Sequence, residues 1–498
     1  MLEYILQWHV LLSGVLVSLT VAWFVFGSKR SNTLPPGPPP QPIIGNLGRL
    51  RGKQGKQRYR TLAKMVDEYG KDGVATIYLG SRPVVFVTNF EALKTIAHSD
   101  EMSGRPTSIR DELFHRQGLI FTDGEAWKEQ RRFALTTLRE FGMGKTWLQD
   151  LIIEEAQELI EDFKSYRGTP VDPNHHLLPS VCNIICAISY GQRFSHKDAN
   201  FSRLTRLVGE NVTLTATNLL VEYFPFLRKI PFSKYRARYL AWMANVGAMS
   251  AFFDTLVEQH QQSLHDGEPR DYLHAFMLEA EKQKDNAEST FNSHQLMVSV
   301  INLFGAGTET TATTLAWAIV YLLNNPVVYD KVQTEIDGVL GDGQYPTMDM
   351  KDRLPYTQAT LFEIQRLSNL VPIIGRRAMD DVTLNGFKIP AGTDIFPMLT
   401  AVHEDARYFP DPLAFKPDRF LDEDGNLRSK VDGFIPFAIG KRFCLGESLA
   451  KMELYLFFVS LVKHFRFRVP PGASINIDDS VMGLLHAPKP YNVIFEAR

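Results

Sequence analysis

Cysteine is scarce in this chain, and its scarcity excludes a whole class of small proteins. Only three cysteines, Cys182, Cys186 and Cys444, occur in 498 residues, too few and too scattered for a scaffold held together by disulfides. Their number fits a reducing compartment, in which a thiolate stays free to bind a metal. A large excess of charge is also missing, because 54 basic and 56 acidic residues leave a formal net charge of −2. A nucleic-acid-binding protein is therefore not expected.

The glycine-rich signatures of nucleotide binding are absent as well. Gly305-x-Gly307 lacks the third glycine of a dinucleotide fingerprint and lies within a helical pattern. The run that ends in Gly144-Lys-Thr146 has Arg139 where a phosphate-binding loop requires glycine. The chain therefore has no recognisable nucleotide site of its own.

A long hydrophobic run opens the chain. Residues 4–27 contain no Asp, Glu, Lys or Arg and are long enough to cross a bilayer as a helix. Lys29 and Arg30 follow, and the positive-inside rule then places the rest of the chain in the cytosol. A cleaved signal peptide is the alternative, but its apolar region would be shorter and its cleavage site is not evident. We expect a membrane anchor over residues 1–28, a stiff proline-rich linker over 29–44 and one large domain over 45–498.

Two β-hairpins are expected within this domain. Residues 74–79 and 84–88 are rich in β-formers and flank a turn at Gly80–Pro83. A second hairpin is expected over Phe387–Phe396, with its turn at Pro390–Gly392.

The third cysteine stands in an unusual stretch, Phe437-Ala-Ile-Gly-Lys-Arg-Phe-Cys-Leu-Gly446. Its glycines let the backbone come close to a bound group, and Arg442 supplies a permanent positive charge. An apolar helical pattern follows, and if that helix begins near Leu445, its positive end points at the sulfur of Cys444. The residues thus favour an anionic cysteine that binds something. A buried, inert cysteine is the simpler alternative.

A second informative stretch lies inside a long helical pattern over Ser293–Leu323. Near its middle stands Phe304-Gly-Ala-Gly-Thr-Glu-Thr-Thr311. Glycines beside β-branched threonines weaken a helix, so we expect a local distortion here, with the carboxylate of Glu309 and the hydroxyl of Thr310 beside the gap. A merely kinked core helix would explain the glycines but not the acid–alcohol pair.

Both stretches resemble motifs of one family. The pattern F-x-x-G-x-R-x-C-x-G at 437–446 is similar to the haem-thiolate signature of the cytochrome P450 family, and residues 306–311 are similar to its oxygen-activation motif. Glu363-x-x-Arg366, with Arg419 in Lys416–Phe420, resembles a buried network that orients the cysteine loop. Asp418 stands where that family usually has Glu. The resemblance spans the whole chain and is greatest to animal microsomal members of the family-2 group.

The resemblance implies a mainly α-helical fold with a smaller β region, preceded by one N-terminal transmembrane helix. It also implies that residues 45–498 form a haem-thiolate catalytic domain, with haem b between the long helix and the cysteine loop. Cys444 would then be the axial ligand, and Thr310, with Glu309 and water, would deliver protons during oxygen activation. The remaining haem contacts would come from Ala306, Phe437, Arg442 and Gly446, from Trp127 and Arg131 of a W-x-x-x-R motif, and, on looser similarity, from Arg105 and Arg377.

The activity implied is insertion of one oxygen atom from O2 into a C–H bond, or across a C=C bond, of an apolar substrate. Electrons from NADPH would come through a separate reductase, with cytochrome b5 as a further candidate partner. The resemblance places the protein in the endoplasmic reticulum membrane, with a single anchor and its catalytic domain in the cytosol. An apolar segment at Tyr223–Phe232 would dip into the membrane. A docking face for the reductase is expected at Lys128, Arg131, Arg132, Arg139 and Lys441.

Substrate identity is left open by the sequence. Apolar segments at 105–121, 298–310, 370–376 and 481–485 suit a fatty acid, a terpenoid such as a sesquiterpenoid hormone precursor, a steroid or a xenobiotic. Two other functions also remain open. A haem-thiolate isomerase or dehydratase would not need the acid–alcohol pair, and a non-enzymatic haem sensor would need neither Thr310 nor a reductase.

Overall fold

The computed structural model describes residues 33–50, 56–142, 146–217, 219–262 and 268–498, with a few isolated positions before residue 33. The predicted anchor at 1–28 lies outside these continuous stretches. The fold is mainly α with a smaller β region, as predicted. The helices are α1 (Lys56–Tyr69), α2 (Phe90–His98), α3 (Asp111–Phe114), α4 (Gly124–Glu140), α5 (Thr146–Ser165), α6 (Asn174–Tyr190), α7 (Ala199–Thr217), α8 (Leu219–Tyr223), α9 (Lys234–Gln262), α10 (Tyr272–Lys282), α11 (Ser293–Asn324), α12 (Pro326–Val339), α13 (Pro355–Ser368), α14 (Leu399–His403) and α15 (Glu447–His464). The strands are β1 (Val74–Leu79), β2 (Arg82–Val87), β3 (Arg376–Arg377), β4 (Val382–Leu384), β5 (Phe387–Ile389), β6 (Asp394–Pro397), β7 (Phe465–Arg468), β8 (Ser480–Met482), β9 (His486–Pro488) and β10 (Ile494–Ala497).

The largest sheet has the strand order β1-β2-β6-β3. The first predicted hairpin is confirmed, since β1 and β2 pair antiparallel with Val74 opposite Val87. The second is wrong: β5 pairs with β4, and β6 joins β2 in parallel. The turn of the real hairpin is Asn385-Gly386, and both residues have positive φ. Asn-Gly is the dipeptide that a tight two-residue turn prefers, and this signal outweighs the turn expected at Pro390–Gly392.

Helix α11 is the central element of the core. The side chain of Asn292 accepts a hydrogen bond from the Gln295 N–H at its start, and the helix ends directly before Pro326, which fits the predicted span. The expected break is not present, because residues 304–311 are helical throughout. A Cβ on Gly307 would lie 2.3 Å from Cδ1 of Ile185 on α6. The glycine therefore serves the close crossing of two helices rather than a distortion of one.

The proline-rich segment lies against the domain. The Thr76 N–H and hydroxyl donate to the carbonyls of Pro36 and Pro35, at 3.0 and 2.7 Å. A Cβ on Gly37 would lie 1.8 Å from the Thr76 oxygen. Within the predicted linker, residues 35–37 therefore lie in contact with β1.

Within the described residues, helix α9 alone is long and apolar enough to cross a bilayer, by length and composition only. Core helices of soluble proteins pass the same test. Helix α9 packs on α7, α10 and α11 and is therefore part of the domain.

Candidate functional site

A cavity of about 370 Å³ lies between α11 and the loop Phe437–Gly446 that precedes α15. Thr310 and Ala306 line it from α11, and Cys444, Phe437 and Gly446 line it from the loop. Three of the four predicted pocket segments contribute to its wall, but 481–485 does not. Most of the other lining residues are apolar, among them Leu119, Ile120, Ile185, Leu303, Leu370, Val371, Ile374, Leu399 and Leu449. The cavity therefore combines a largely apolar wall with the thiol of Cys444 and the hydroxyl-bearing residues Ser189, Thr310 and Thr311.

The loop that carries Cys444 is held by its own backbone and by α2. The Cys444 N–H donates to the Phe437 carbonyl at 2.9 Å. Gly440 has φ +73°, and a Cβ there would lie 2.1 Å from the Ala97 carbonyl oxygen. Only glycine lets the loop approach α2 so closely in this conformation. The loop is thus fixed before the helix that follows it begins.

Helix α15 begins at Glu447, two residues after the predicted start, with Gly446 at its N-cap position. Burial raises the pKa of the Cys444 thiol, and the Gly446 N–H and Arg131 oppose that rise. Arg442, which was predicted to be the cation beside the sulfur, faces elsewhere. Its guanidinium carbon lies 3.6 Å from the centroid of the Trp127 ring. Arg131 is therefore the cation whose charge acts on the thiol.

Buried arginines gather along one side of the cavity. Burial, with the neighbouring cation Arg105, lowers the pKa of Arg442 to about 8. Burial, with the neighbouring cation Arg131, lowers the pKa of Arg105 to about 10. Burial, Arg105, Arg442 and Arg131 together lower the pKa of Arg376. Asp123 accepts from Arg442 at 3.1 Å, but it is shared with a further arginine, Arg116. This side of the cavity therefore carries excess positive charge and suits an anionic group.

The predicted acid–alcohol pair does not meet at this cavity. The Thr310 hydroxyl faces it and donates to the Ala306 carbonyl at 2.7 Å. Glu309 lines a different cavity, of about 1280 Å³, between α11, α6 and α7. The physical reason is the unbroken helix, on which consecutive residues point about 100° apart. Burial raises the pKa of Glu309 to about 7, and its Oε2 has no hydrogen-bond partner among the described residues.

The charged network below the loop has the predicted members. Both oxygens of the fully buried Glu363 accept from Arg366, at 2.7 and 2.8 Å. Arg419 Nε and the Lys416 N–H also donate to this carboxylate, at 3.0 and 2.8 Å. Arg366 donates in turn to the carbonyl of His403 at 2.7 Å. The network thus leads from α13 to the short helix α14.

Comparisons with known proteins agree with this geometry. A model of the family described as Cytochrome P450 matches residues 35–495. The chain is 38% identical over 473 residues to Cytochrome P450 2J2 of Homo sapiens, covering 94% of this chain and 92% of that protein. It is 37% identical to Cytochrome P450 2B4 of Oryctolagus cuniculus, covering 98% and 99%, and 38% identical to Cytochrome P450 2C8 of Homo sapiens, covering 94% and 95%.

The chain belongs to the cytochrome P450 family. It is therefore an oxidoreductase of the monooxygenase class, with a thiolate-ligated haem as its cofactor. Its relatives also support association with the endoplasmic reticulum membrane.

The site of this cytochrome P450 fits its haem. The indole Nε1 of Trp127 and Nη1 of Arg442 are buried donors without a hydrogen-bond partner in the described structure. Haem b carries two propionates, which supply the acceptors that these donors lack and the negative charge that the arginine cluster lacks. Cys444 is the cysteine that lines the cavity, and its thiolate would bind the iron. Arg105, Trp127, Arg131 and Arg442 are the side chains that would hold the propionates.

The expectation for Arg377 needs a correction by one residue. Arg376 is the buried member of β3, whereas Arg377 is only partly buried. The side chain of Arg377 lies beside Gly392 and acts on Asp394. Alternate residues of a strand face opposite sides, so only one of two adjacent arginines can face the cluster. In this cytochrome P450 that residue is Arg376.

Sequence reasoning missed two buried residues of the site. His403 Nε2 accepts from the Ile435 N–H at 3.1 Å, which links the Glu363 network to the segment just before the cysteine loop. Burial and Arg366 lower the pKa of His403 to about 3, so the ring is neutral and suited to accept. Glu453 of α15 lines the cavity and accepts from the Thr311 hydroxyl at 2.9 Å. The available signal for Glu453 was a carboxylate within a largely apolar helical run. The sequence offered no comparable signal for His403.

The structure places the five residues of the expected docking face in different surroundings. Arg131 turns inward and donates to the Phe443 carbonyl at 2.6 Å. Lys128 pairs with Glu125, and Lys441 pairs with Asp100 at 2.6 Å. Arg132 and Arg139 on α4 are exposed.

Proposed function

We propose that this protein uses O2 and NADPH electrons, delivered by a separate reductase, to hydroxylate or epoxidise an apolar substrate. The observation that carries the proposal is the cavity itself, in which Cys444 and Thr310 share one apolar chamber. Fatty acids, terpenoids such as a sesquiterpenoid hormone precursor, steroids and apolar xenobiotics all suit such a wall. The chain has no dinucleotide fingerprint, which favours a partner for electron supply.

Each residue of the cavity has a definable task in this reaction. Bound haem supplies the redox-active iron at which O2 is activated. The Cys444 thiolate holds that iron, and the arginines with Trp127 orient the propionates. The apolar wall excludes water and positions the substrate. The Thr310 hydroxyl, which faces the cavity, holds and passes a proton at Oγ1.

In this proposal Glu309 does not act beside Thr310 in the haem cavity, as the family resemblance implied, but from the second cavity. Its carboxyl has a pKa of about 7, so it exchanges protons readily near neutral pH. Because it faces the second cavity, it would take protons from solvent there. Transfer to Thr310 then requires water or a rotation of the side chain.

The test is one reaction in which product, hydrogen peroxide and NADPH are measured together. The haem-loaded protein, reductase and a panel of apolar substrates are combined, and products are identified by mass spectrometry. We expect Thr310→Ala to keep haem and substrate binding but to lower product per NADPH, since positioned proton transfer is worth ~10²–10⁴-fold. Thr334→Ala is the matched control, because the Thr334 hydroxyl of α12 makes the same kind of bond, to the Asp330 carbonyl at 2.8 Å, but the residue is exposed and lines neither cavity.

The alternatives give different results. A haem-thiolate isomerase or dehydratase would turn over without NADPH and O2, and a sensor would bind ligand without product. Unchanged coupling in haem-replete Thr310→Ala would remove Thr310 from the reaction.

We also propose that residues 1–28 anchor the protein in the endoplasmic reticulum membrane, with the domain in the cytosol. A second contact would come from the segment Tyr223–Phe232, where Phe226 is 58% exposed and Phe232 is fully exposed. Deletion of residues 1–28 should leave a haem-loaded domain that binds membranes weakly. A deletion variant that fails to take up haem would show that this segment belongs to the core.

The reductase, and cytochrome b5 as a further candidate, would dock on the face that carries Lys128, Arg132, Arg139 and Lys441. Acidic partners are attracted to such a face electrostatically. Reductase-supported turnover should therefore fall with rising salt more steeply in the wild type than in Arg132→Gln.

A further inference from the structure

Glu309 carries a carboxyl group that has no partner in the described part of the chain. Its Oε2 is enclosed and accepts no hydrogen bond there, and no described cation lies within ion-pair distance of it. Burial alone raises its pKa to about 7, with no contribution from any charged group among the described residues. Buried acids are usually paired. When ionised, this one therefore lacks a counterion.

The other acids of the second cavity are already engaged. Four further acids line this cavity, and each lies within ion-pair distance of a basic side chain: Glu158 of Arg193, Glu161 of Lys164, Asp162 of His176 and Glu210 of Arg206. Two cations, Lys197 and Arg206, also line the cavity, but neither acts on Glu309. Among the described acids of this wall, Glu309 is thus the one whose charge nothing balances.

The second cavity also has the size and the lining of a small-molecule site. Its volume is about 1280 Å³, compared with roughly 300–1,000 Å³ for typical ligand pockets. Ala312 follows Glu309 by three residues and so lies on the same face of α11. Leu178, Pro179 and Leu214 add apolar surface from α6 and α7. A hard metal ion such as Ca²⁺ needs about six or more oxygen ligands, which one free carboxylate does not supply. The cavity instead suits a ligand with a single positive charge and an apolar body.

We propose that the second cavity binds an organic monocation, whose N–H donors pair with the carboxylate of Glu309 and whose apolar body lies against α6, α7 and α11. Protonated amines and guanidinium compounds have this chemistry. The site is separate from the haem cavity, because Glu309 lines only the second one. Binding therefore does not depend on the proposed function. Its consequence does: an occupied site would compete with the proton uptake assigned to Glu309 above.

The experiment compares a cation with a neutral molecule of the same shape. Benzylguanidinium and benzylurea share a ring and a planar head group, and only benzylguanidinium is charged. Kd is measured by isothermal titration calorimetry on haem-loaded protein without NADPH, and the Soret band is recorded alongside. The proteins are wild type, Glu309→Gln, Glu309→Asp and Glu210→Gln. Glu210 lines the same cavity but is 49% exposed, so its variant removes the same charge from the rim.

We expect Glu309→Gln to weaken benzylguanidinium binding roughly ten- to hundredfold, which is the range for a hydrogen-bonded charge. Glu309→Asp should recover part of this loss, because aspartate keeps the charge on a shorter side chain. Benzylurea should bind all four proteins equally weakly, and Glu210→Gln should match the wild type within about twofold. The Soret band should not move as the cation binds. The ferrous-CO spectrum of each variant shows that its haem site is intact.

Five results would overturn the inference. Unchanged benzylguanidinium affinity in Glu309→Gln would show that this carboxylate does not touch the ligand. An equal loss for the cation and for benzylurea would give Glu309 a purely structural role. An equal loss in Glu210→Gln would assign the attraction to the general charge of the rim. A Soret shift that follows the binding curve would place the cation in the haem cavity. A wild type without saturable binding of benzylguanidinium at millimolar concentration would reject the site itself.

Discussion

Replacing Glu363 with glutamine should remove a large part of the stability of the haem domain. The side chains of Glu363 and Arg366 are both 0% exposed, and four donors converge on the carboxylate. Glutamine keeps the shape but removes the charge, and its NH2 group then faces other donors. Breaking a buried ion pair in this way costs roughly 3–5 kcal/mol. The free energy of unfolding of a typical folded protein is roughly 5–15 kcal/mol.

The loss should be transmitted to the cysteine loop. Arg366 holds the carbonyl of His403, and His403 holds the Ile435 N–H, two residues before the loop Phe437–Gly446. We therefore expect Glu363→Gln to lower both the urea midpoint and the fraction of protein that shows the thiolate ferrous-CO spectrum.

Asp418→Asn is the control for this substitution. Asp418 precedes Arg419 in the chain, but its pair with Lys331 is exposed, at 68% and 53%, and should contribute at most about 1 kcal/mol. Glu363→Gln protein with an unchanged urea midpoint and full haem content would refute the argument that the buried carboxylate holds the loop.

Three further substitutions test other parts of the site. Cys444→Ser should abolish the red-shifted Soret band of the ferrous-CO protein, and a variant that keeps this band would exclude Cys444 as the ligand. Burial raises the pKa of Glu453 from 4.5 to about 8, so the folded state holds a proton that the unfolded state has released, and stability should fall as pH rises between these values, by up to about 1.4 kcal/mol per pH unit. Glu453→Gln should lose that slope in urea titrations at pH about 6 and about 8, and an unchanged slope would assign it to another group. Gly307→Ala forces a Cβ to within 2.3 Å of Ile185 and should cost roughly 1–3 kcal/mol. In an Ile185→Ala background, Gly307→Ala should no longer lower the stability. If the stability losses of the two substitutions simply add, the contact between residues 307 and 185 is not the cause of the loss in Gly307→Ala.

The sequence predicts best those features that depend on residue type at fixed spacing. The span of α11 follows from the helical pattern and from the proline after it. The Glu363 network was expected from the family resemblance, because a charge pair three residues apart is by itself typical of a helix surface. The cavity between α11 and the cysteine loop was expected from the family resemblance.

Direction of side chains is predicted less well, because it depends on neighbours far away in the chain. Glu309 and Thr310 diverge because α11 is helical throughout residues 304–311, and Gly307 is explained by the contact with Ile185 on α6. Arg376 rather than Arg377 faces the cluster because β3 pairs with β6 in one particular register. His403 has a role only through Ile435 and Arg366, neither of which is its neighbour in sequence.

The contacts of the cysteine loop have a consequence for how the chain acquires its cofactor. Arg442 donates to the Ser103 and Thr122 carbonyls, 339 and 320 residues away, and Arg131 donates to the Phe443 carbonyl, 312 residues away. A ribosome must therefore release almost the whole chain before these bonds can form, and contacts of such separation form slowly. The thiol reaches its final position only when nearly the whole chain has been made. Fragments that stop before residue 436 should therefore capture no haem, and the supply of the cofactor has to meet a nearly complete polypeptide.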